Sequence, residues 1–129
     1  MRKSLTFLVI SNLLTGCIYA DGCLYTPQMV NCVDKGKEFP YIAYFQKKEA
    51  IGHTNVNERW NDVADCGGVN ISRKNNEFQI KNERTKNGVI NPAVIKQFET
   101  CMAKKGYVRL YYSDCGTQAP EWNTGKCNL

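Results

Sequence analysis

The residues of this chain with the widest range of chemistry are seven cysteines, whose thiols can form disulfides, bind a metal or act as nucleophiles. They lie at positions 17, 23, 32, 66, 101, 115 and 127. Zinc sites use closely spaced pairs such as Cys-x-x-Cys, usually with partner histidines. No two of these cysteines are that close, and His53 is the single histidine. The spacing therefore disfavours a metal site, and the sequence predicts no cofactor.

The N-terminal context of Cys17 indicates a covalent modification. Residues 1–3, Met-Arg-Lys, precede a mostly apolar stretch at 5–14, which is too short to span a bilayer and typical of a secretory signal. The sequence then reads Leu-Thr-Gly-Cys at 14–17, which resembles the lipobox of bacterial lipoproteins. The resemblance implies transfer of diacylglycerol to the Cys17 sulfur, cleavage after Gly16, and acylation of the new amino terminus with a fatty acid such as palmitate.

The lipobox divides the chain into three parts. Residues 1–16 are the expected signal peptide, 17–22 the lipidated cysteine with a short tether, and 23–129 a disulfide-rich globular domain. Two or more acyl chains give stable membrane attachment, and a tether this short would keep the domain close to the lipid surface. The alternative is a conventional signal cleaved near Ala20, with Cys17 as one more disulfide cysteine.

The residue that follows Cys17 bears on the location. Ile18 rather than Asp stands there, which by the sorting rule known for enteric lipoproteins favours the outer membrane. The sequence therefore predicts a lipid-anchored protein of the bacterial cell envelope, at the outer membrane. Its first partner is the lipid bilayer, which it contacts through the acyl chains on Cys17.

Setting Cys17 aside leaves six cysteines, an even number in a domain that would fold in an oxidising compartment. Six cysteines predict three disulfides, with fifteen possible pairings among which spacing does not choose. A bridge between Cys115 and Cys127 would close a loop in the C-terminal tail, and Cys23–Cys32 is a second candidate pair. Each bridge would stabilise the fold by about 2–4 kcal/mol.

Length and charge limit the possible functions. Removal of residues 1–16 leaves 113 of the 129 residues, enough for one domain with a modest core but not for two domains. The formal charge falls from +5 to about +3 when Arg2 and Lys3 are removed. This mild and scattered positive charge gives no support for a nucleic-acid partner.

A first helix is predicted to begin after Asn55 and to cover about eleven residues. Asn55 and Glu58 form a pattern close to a capping box, and apolar residues recur at helical spacing from Val56 onward. Gly67 and the glycine after it supply a C-terminal stop. The helix would place Cys66 in its last turn.

A second helix is predicted between Asn91 and Gly106. Asn91 is a suitable N-cap, Pro92 suits the first helical position, and Gly106 suits the left-handed residue after the end. Cys101 would lie in its last turn. If the two helices pack antiparallel, Cys66 and Cys101 diverge; if the helices cross or run parallel, the two cysteines can bond.

The remaining sequence indicates short strands and loops. Residues 41–45 and 107–112 are rich in aromatic and branched side chains and are predicted to form strands. The polar stretch 69–90 is predicted to be an exposed loop with one short strand near Phe78, and the tail from Ser113 a loop. The expected fold class is α+β, a small single disulfide-stabilised domain with two short helices and a few antiparallel strands.

Two motifs resemble a family of small uncharacterised lipoproteins of Gram-negative bacteria. The first is Trp60 followed by Cys66-Gly67, and the second reads Phe-x-x-Cys-Met-x-x-Lys-Gly-Tyr over residues 98–107. Together they cover roughly half of the mature domain. The resemblance implies that the two helix cysteines pair as Cys66–Cys101, and it brings no established activity.

Candidate catalytic groups are sparse. A nucleophile needs a base within reach, and His53 has only Ser72 and Ser113 as mature serine candidates, neither in a Gly-x-Ser-x-Gly turn. The carboxylates Glu58 and Asp62 are four residues apart on the first predicted helix, with Asp65 one turn further, and are expected to lie on its solvated face. No catalytic residue is therefore predicted, and the sequence favours a protein that is not an enzyme.

Trp122 is the candidate binding residue, because it lies in a polar loop rather than at a helical core position. The sequence thus favours a non-enzymatic interaction module for an envelope protein or a cell-wall component. The alternative is a lipoprotein inhibitor or an immunity or superinfection-exclusion protein, although a charge of about +3 does not suit an inhibitor of basic lysozymes. A distant alternative is an envelope hydrolase centred on His53.

Overall fold

The computed structural model describes residues 16–20, 22–27 and 29–129, with the side chain of Asn31 left out. The expected signal peptide, apart from Gly16, lies outside the described residues. The described chain has the α+β composition expected from the sequence. It divides into two compact units, one ending at Asp34 and one from Lys35 to Leu129, whereas the sequence analysis expected one globular domain at 23–129.

The first unit holds a three-stranded antiparallel sheet of strands β1 (Ile18–Ala20), β2 (Cys23–Tyr25) and β3 (Val30–Cys32) in that order. Tyr25 pairs with Ile18 on one side and with Val30 on the other. Residues 18–20, which the sequence analysis placed in the tether, therefore form an edge strand. Part of the tether expected at 17–22 is therefore a strand, which is hydrogen-bonded to β2.

The second unit contains short strands and three α-helices among its described residues. The strands form two antiparallel pairs, β4 with β7 and β5 with β6. The bounds in chain order are β4 Phe45–Lys47, α1 Val56–Asp65, β5 Gly68–Ser72, β6 Glu77–Ile80, α2 Pro92–Lys104, β7 Tyr107–Arg109 and α3 Tyr112–Cys115.

Helix α1 confirms the first predicted helix. The Asn55 side chain accepts a hydrogen bond from the backbone N–H of Glu58 at 3.0 Å, as an N-cap should. The Glu58 carboxylate does not complete the capping box but lies 3.1 Å from Lys47 Nζ. The chain leaves the helix at Gly67, whose φ of 110° a residue with a Cβ adopts only under strain.

Helix α2 confirms the second predicted helix at both ends. The Asn91 side chain accepts from the backbone N–H of Ala93, and Pro92 occupies the first turn. Gly106 follows the end with a φ of 94°. Phe98 and Met102 are buried on the inner face, as the apolar periodicity predicts.

Residues 41–45 are not a strand as predicted. Tyr41–Tyr44 form a 3-10 helix after Pro40, and the strand β4 begins only at Phe45. This turn directs Ile42 and Ala43 into separate buried clusters.

The stretch 69–90 also differs from the prediction of a loop with one strand. It opens with the hairpin β5–β6, which carries apolar residues at alternate positions, Val69 and Ile71 on one strand and Phe78 and Ile80 on the other. Asn76 adopts a φ of 55° in the connecting turn, a conformation that asparagine tolerates. In the tail, α3 adds a third helix where a loop was predicted.

Three disulfides join Cys23 to Cys32, Cys66 to Cys101 and Cys115 to Cys127. These are the three candidate pairs of the sequence analysis. The Cys66–Cys101 bridge brings the C-terminal ends of α1 and α2 together, so the two helices do not pack antiparallel. All seven cysteines lie in the described part of the chain, and Cys17 is the one without a disulfide partner.

The core of the second unit consists of two separate clusters of buried residues. The larger packs α1 and α2 against the two-stranded sheets, with Phe45 and Phe98 in edge-to-face contact at 5.5 Å. The smaller forms around the Cys115–Cys127 bridge, together with Phe39 and Ala43. The buried members of the larger cluster are Ile42, Phe45, Trp60, Val63, Ile80, Phe98, Met102 and Tyr107.

A buried hydrogen-bond network centred on Thr54 holds the C-terminal tail against β4 and α1. The Asn128 amide donates to Thr54 O at 2.9 Å and accepts from Thr54 N at 3.0 Å. The Thr54 hydroxyl donates to Gln46 Oε1 at 2.7 Å, and the Gln46 amide donates to Ala43 O. A residue at the end of the chain is thus tied to a loop more than seventy residues away.

Arg59 completes this network from α1. Its Nη1 donates to Phe45 O at 3.3 Å and its Nη2 to Asn128 O at 2.9 Å. Its Nε has no hydrogen-bond partner within the described residues. Burial lowers the pKa of Arg59 to about 10, so the guanidinium remains charged at neutral pH.

We expect Asn128→Ala to lower the free energy of unfolding by about 2 kcal/mol, because both main-chain polar groups of Thr54 lose their buried partner. Urea unfolding followed by tryptophan fluorescence measures the effect. The matched control is Asn87→Ala at an exposed turn, where the change should stay within about 0.5 kcal/mol. Equal effects of the two substitutions would contradict the role of this network.

Candidate functional site

The catalytic candidates of the sequence analysis are not brought together. His53 is exposed, and its backbone N–H donates to Ala50 O. The structure records no hydrogen bond from the described residues to its imidazole ring. Ser72 Oγ accepts from the backbone N–H of Asn75, and Ser113 is exposed. His53 therefore lacks the hydroxyl contact that a nucleophile and base require.

Each of the three carboxylates of α1 forms an ion pair, and Glu58 and Asp65 are exposed as predicted. Asp62 lies between two lysines, 4.0 Å from Lys47 Nζ and 3.6 Å from Lys105 Nζ. Lys105 also approaches Asp65 at 3.6 Å. The prediction of a solvated face is wrong for Asp62, which is partly buried, because residues from β4 and from the end of α2 cover it.

Tyr107 is the inner part of this charged cluster. Its hydroxyl donates to Asp62 Oδ2 at 2.6 Å, and Lys47 Nζ lies 4.6 Å from the centroid of its ring. Burial, followed by the hydrogen bond to Asp62, raises the pKa of Tyr107 well above its usual range. The phenol thus stays protonated, and the cluster ties β7 to α1 as a structural contact.

A second cluster surrounds Arg109 and lies closer to solvent. The guanidinium carbon is 5.1 Å from the ring centroid of Tyr41, 5.0 Å from that of Tyr44 and 4.4 Å from that of Tyr111. These distances are within the range of cation–π attraction. Arg109 Nε lies 3.4 Å from Glu99 Oε1, so a carboxylate balances its charge. We call Arg109, Glu99 and the three tyrosines the Arg–Tyr surface.

Backbone pairing of two strands positions the Arg–Tyr surface. Arg109 ends β7, where it pairs with Phe45 at the start of β4. Leu110 N donates to Tyr44 O at 2.7 Å, which holds the 3-10 helix beside β7. Arg109 Nη1 also donates to Leu110 O.

Glu99 orders the surface from α2. Its carboxylate accepts a hydrogen bond from the Tyr41 hydroxyl at 2.7 Å in addition to its contact with Arg109. Burial, and then the interaction with Glu99, raises the pKa of Tyr41 above its usual range. Burial and then the charge of Glu38 also raise the pKa of Tyr44. Both phenols therefore remain neutral hydrogen-bonding groups at physiological pH.

Exposure grades across the Arg–Tyr surface from inside to outside. The Arg109 side chain is 23% exposed, whereas Tyr111 is 58% exposed. Tyr112, the next residue, is exposed as well. The arrangement presents the edge of a guanidinium and open aromatic area, while Glu99 already balances the charge of Arg109.

Trp122, the binding candidate from the sequence, is exposed in the loop that the Cys115–Cys127 bridge closes. Lys35 Nζ lies 5.3 Å from the centroid of its ring. The backbone O of Trp122 accepts a hydrogen bond from Thr117 N. The backbone N–H of Gly116, the residue before Thr117, donates to Tyr112 O. The consecutive residues Gly116 and Thr117 thus each bond to the main chain of one of these two aromatic residues of the tail.

The sequence analysis found Trp122 but missed the Arg–Tyr surface. Its members come from three separated segments, and no local motif connects them. One signal was present, because Tyr107, Arg109 and Tyr111 stand at alternate positions of a predicted strand. The pairing of β4 with β7, which brings in Tyr41 and Tyr44, was not deducible from that signal.

No group of three or more His, Cys, Asp or Glu residues in the described part of the chain lies in an arrangement able to hold a metal ion. Among the helices that the structure describes, none combines the length and the apolar character needed to cross a membrane.

Comparison of the chain with known protein families, with curated proteins and with solved structures gave no match. What this protein binds is therefore inferred from the chemistry of its own residues.

We expect Arg109→Met to lower the free energy of unfolding by about 1–2 kcal/mol. The substitution removes the cation from three rings and leaves Glu99 without its ion pair. Arg109→Lys should lose a smaller part, because a lysine keeps the charge but not the planar stacking. Urea unfolding of both variants tests this, and a loss no greater than that of the exposed control Lys86→Met would contradict it.

Proposed function

We propose that this protein is a lipid-anchored module of the bacterial cell envelope that binds an envelope protein or a cell-wall component and is not an enzyme. It is attached through acyl chains on Cys17, at the outer membrane. The observation that carries the binding role is the Arg–Tyr surface, where Tyr111 remains mostly exposed above an ordered guanidinium. Trp122, the binding residue predicted from the sequence, lies on the same tail segment as Tyr112 and remains a candidate contact.

Cysteine pairing supports the anchor. Six of the seven cysteines bond with one another, which leaves Cys17 unpaired and exposed at the start of β1. A modifying enzyme needs an accessible thiol that is not part of a bridge. A free exposed thiol in an oxidising compartment is otherwise a liability, and acylation removes it.

Residue types and order support the binding role. Tyrosine, tryptophan and arginine are the residues that contribute most to binding energy at protein interfaces. The guanidinium is already fixed by Glu99 and by three rings, and the Tyr41 phenol is held by its hydrogen bond to Glu99. A partner would therefore pay little conformational entropy to order this surface.

Charge balance on the surface indicates the chemistry of the partner. Glu99 offsets the charge of Arg109, and Lys35 lies over the Trp122 ring rather than in a cluster of like charges. Contacts would be dominated by aromatic area and by phenol hydrogen bonds. Binding should consequently depend only weakly on ionic strength, in contrast to an interface built on unpaired charges.

Cys17→Ser should abolish membrane attachment and remove the acyl mass. In the full chain expressed in its native compartment, the unsubstituted protein should enter the detergent phase and carry diacylglycerol and fatty acid on an N-terminal peptide that begins at Cys17. The matched control is Ser113→Ala, which should remain attached. A substituted chain that still partitions with membranes and carries the same acyl mass would overturn the anchor.

Site-specific photo-crosslinking tests the binding surface. A benzoyl-phenylalanine at position 111 or 122 should give a discrete adduct with a partner in intact envelopes, because both side chains are exposed. The control probe replaces Lys86, which is exposed on a different segment of the second unit. Tyr111→Ser in a chain probed at 122 should weaken the adduct about fivefold or more.

The identity of the adduct separates the versions of this function. An envelope protein or peptidoglycan fragment supports the interaction module. A secreted toxin, muramidase or phage protein would replace it with the inhibitor or immunity role. Equal labelling at 86, 111 and 122, or none at 111 and 122, would remove the Arg–Tyr surface as the binding site.

A further inference from the structure

The three-stranded sheet of the first unit has an apolar face that is exposed. Its register places Ile18, Tyr25 and Val30 in one row across the three strands. Ile18 is 66% and Val30 56% exposed. Two-residue spacing puts Ala20 and the Cys23–Cys32 bridge on the same face, so all six positions of that face are apolar.

This apolar face begins directly after the residue that the proposed function acylates. Ile18 follows Cys17 in the chain, so their Cα atoms are about 3.8 Å apart. Between Gly16 and Val33 the sequence holds a single charged residue, Asp21. A segment fixed to lipid at its first residue, with almost no charge over the next sixteen, is held at the boundary between headgroups and acyl chains.

We infer that the Ile18–Tyr25–Val30 face of the β1–β3 sheet lies in the membrane interface and binds lipid directly, as a second, non-covalent contact beside the acylated Cys17. The inference rests on the anchor of the proposed function, since the acyl chains bring the sheet to the bilayer. Its occupant is the interfacial layer of the membrane that holds the anchor, not a protein partner.

Backbone geometry limits how deep the sheet can go. Both β1 and β3 are edge strands, and their outward N–H and C=O groups need hydrogen-bond partners that hydrocarbon does not supply. The headgroup region supplies water and ester oxygens. Tyr25 suits that depth because its ring is apolar and its hydroxyl stays hydrated, as in the aromatic belts of membrane proteins.

The disulfide lets so small a sheet keep its shape without a core of its own. Three strands of three residues are marginal in water, and the Cys23–Cys32 bridge ties β2 to β3 at their paired ends. A rigid apolar face loses less entropy on entering the interface than a flexible peptide would. The bridge therefore serves membrane contact as well as stability.

The test uses the full mature chain with Cys17→Ser, exported through a conventional signal so that the three disulfides form. Flotation with vesicles of phosphatidylethanolamine and phosphatidylglycerol measures its partition coefficient without any acyl chain. We expect measurable binding, a similar value on neutral phosphatidylcholine vesicles, and little response to salt, because apolar burial drives the contact. Absence of flotation would overturn the inference.

Paired substitutions assign the face. Val30→Glu should lower the partition coefficient about tenfold, and Tyr25→Ser, which adds no charge, should lower it about threefold. The matched control is Leu24→Glu, an exposed apolar residue on the opposite face, which should change it less than twofold. Equal losses from Leu24→Glu and Val30→Glu, or no loss from Val30→Glu, would overturn the assigned face.

Two further readouts separate this inference from its alternatives. Unchanged disulfides and an unchanged unfolding midpoint show that a variant has kept its fold. If Val30→Glu does not keep its fold, the partition coefficient of Tyr25→Ser decides the test. A concentration-dependent dimer that Val30→Glu abolishes would assign the face to a second copy and overturn the lipid contact. Acylation is scored separately by the mass of the native N-terminal peptide, so failure of the anchor and failure of the sheet give different results.

Discussion

The second unit depends on a hydrogen-bond network that fastens the end of the chain to its first strand. Asn128 bonds both main-chain groups of Thr54, and Arg59 reaches through the buried space to Asn128 O and Phe45 O. Because Asn128 is adjacent to Cys127, the network also fixes where the tail disulfide can close. The smaller core cluster around that disulfide exists only with the tail in this position.

Burying the Arg59 guanidinium without a carboxylate partner costs desolvation free energy. Its desolvation, which lowers the pKa of Arg59, is offset only in part by two carbonyl acceptors. In return the geometry is specific, because the C-terminal residues must satisfy both the Arg59 contacts and the two Thr54 hydrogen bonds at once. The Cys115–Cys127 loop that carries Trp122 belongs to the segment that this placement orders.

Arg59 and Arg109, both in the second unit, show two different environments for an arginine side chain. Arg59 is enclosed and bonds to backbone oxygen, which makes it a structural tie. Arg109 keeps a carboxylate partner and lies among three rings at the surface, where it remains partly open to solvent. Between Gly16 and Val33 the sequence holds one charged residue, and a sheet of exposed apolar residues follows the exposed Cys17. The polar contacts of Arg59 and Arg109 thus lie in the second unit, and the exposed apolar sheet lies in the first.

The sequence by itself determined the features that depend on neighbouring residues. Caps at Asn55 and Asn91 and the glycine after α2 set the two long helices, because helix ends are satisfied by local side chains. The odd number of cysteines, together with the lipobox resemblance, predicted that Cys17 has no disulfide partner. Tertiary structure alone decided the 3-10 turn at Tyr41–Tyr44, the pairing of β4 with β7 and the assembly of tyrosines around Arg109. Those features join segments up to seventy residues apart, and their energy comes from packing and buried hydrogen bonds that no local pattern encodes.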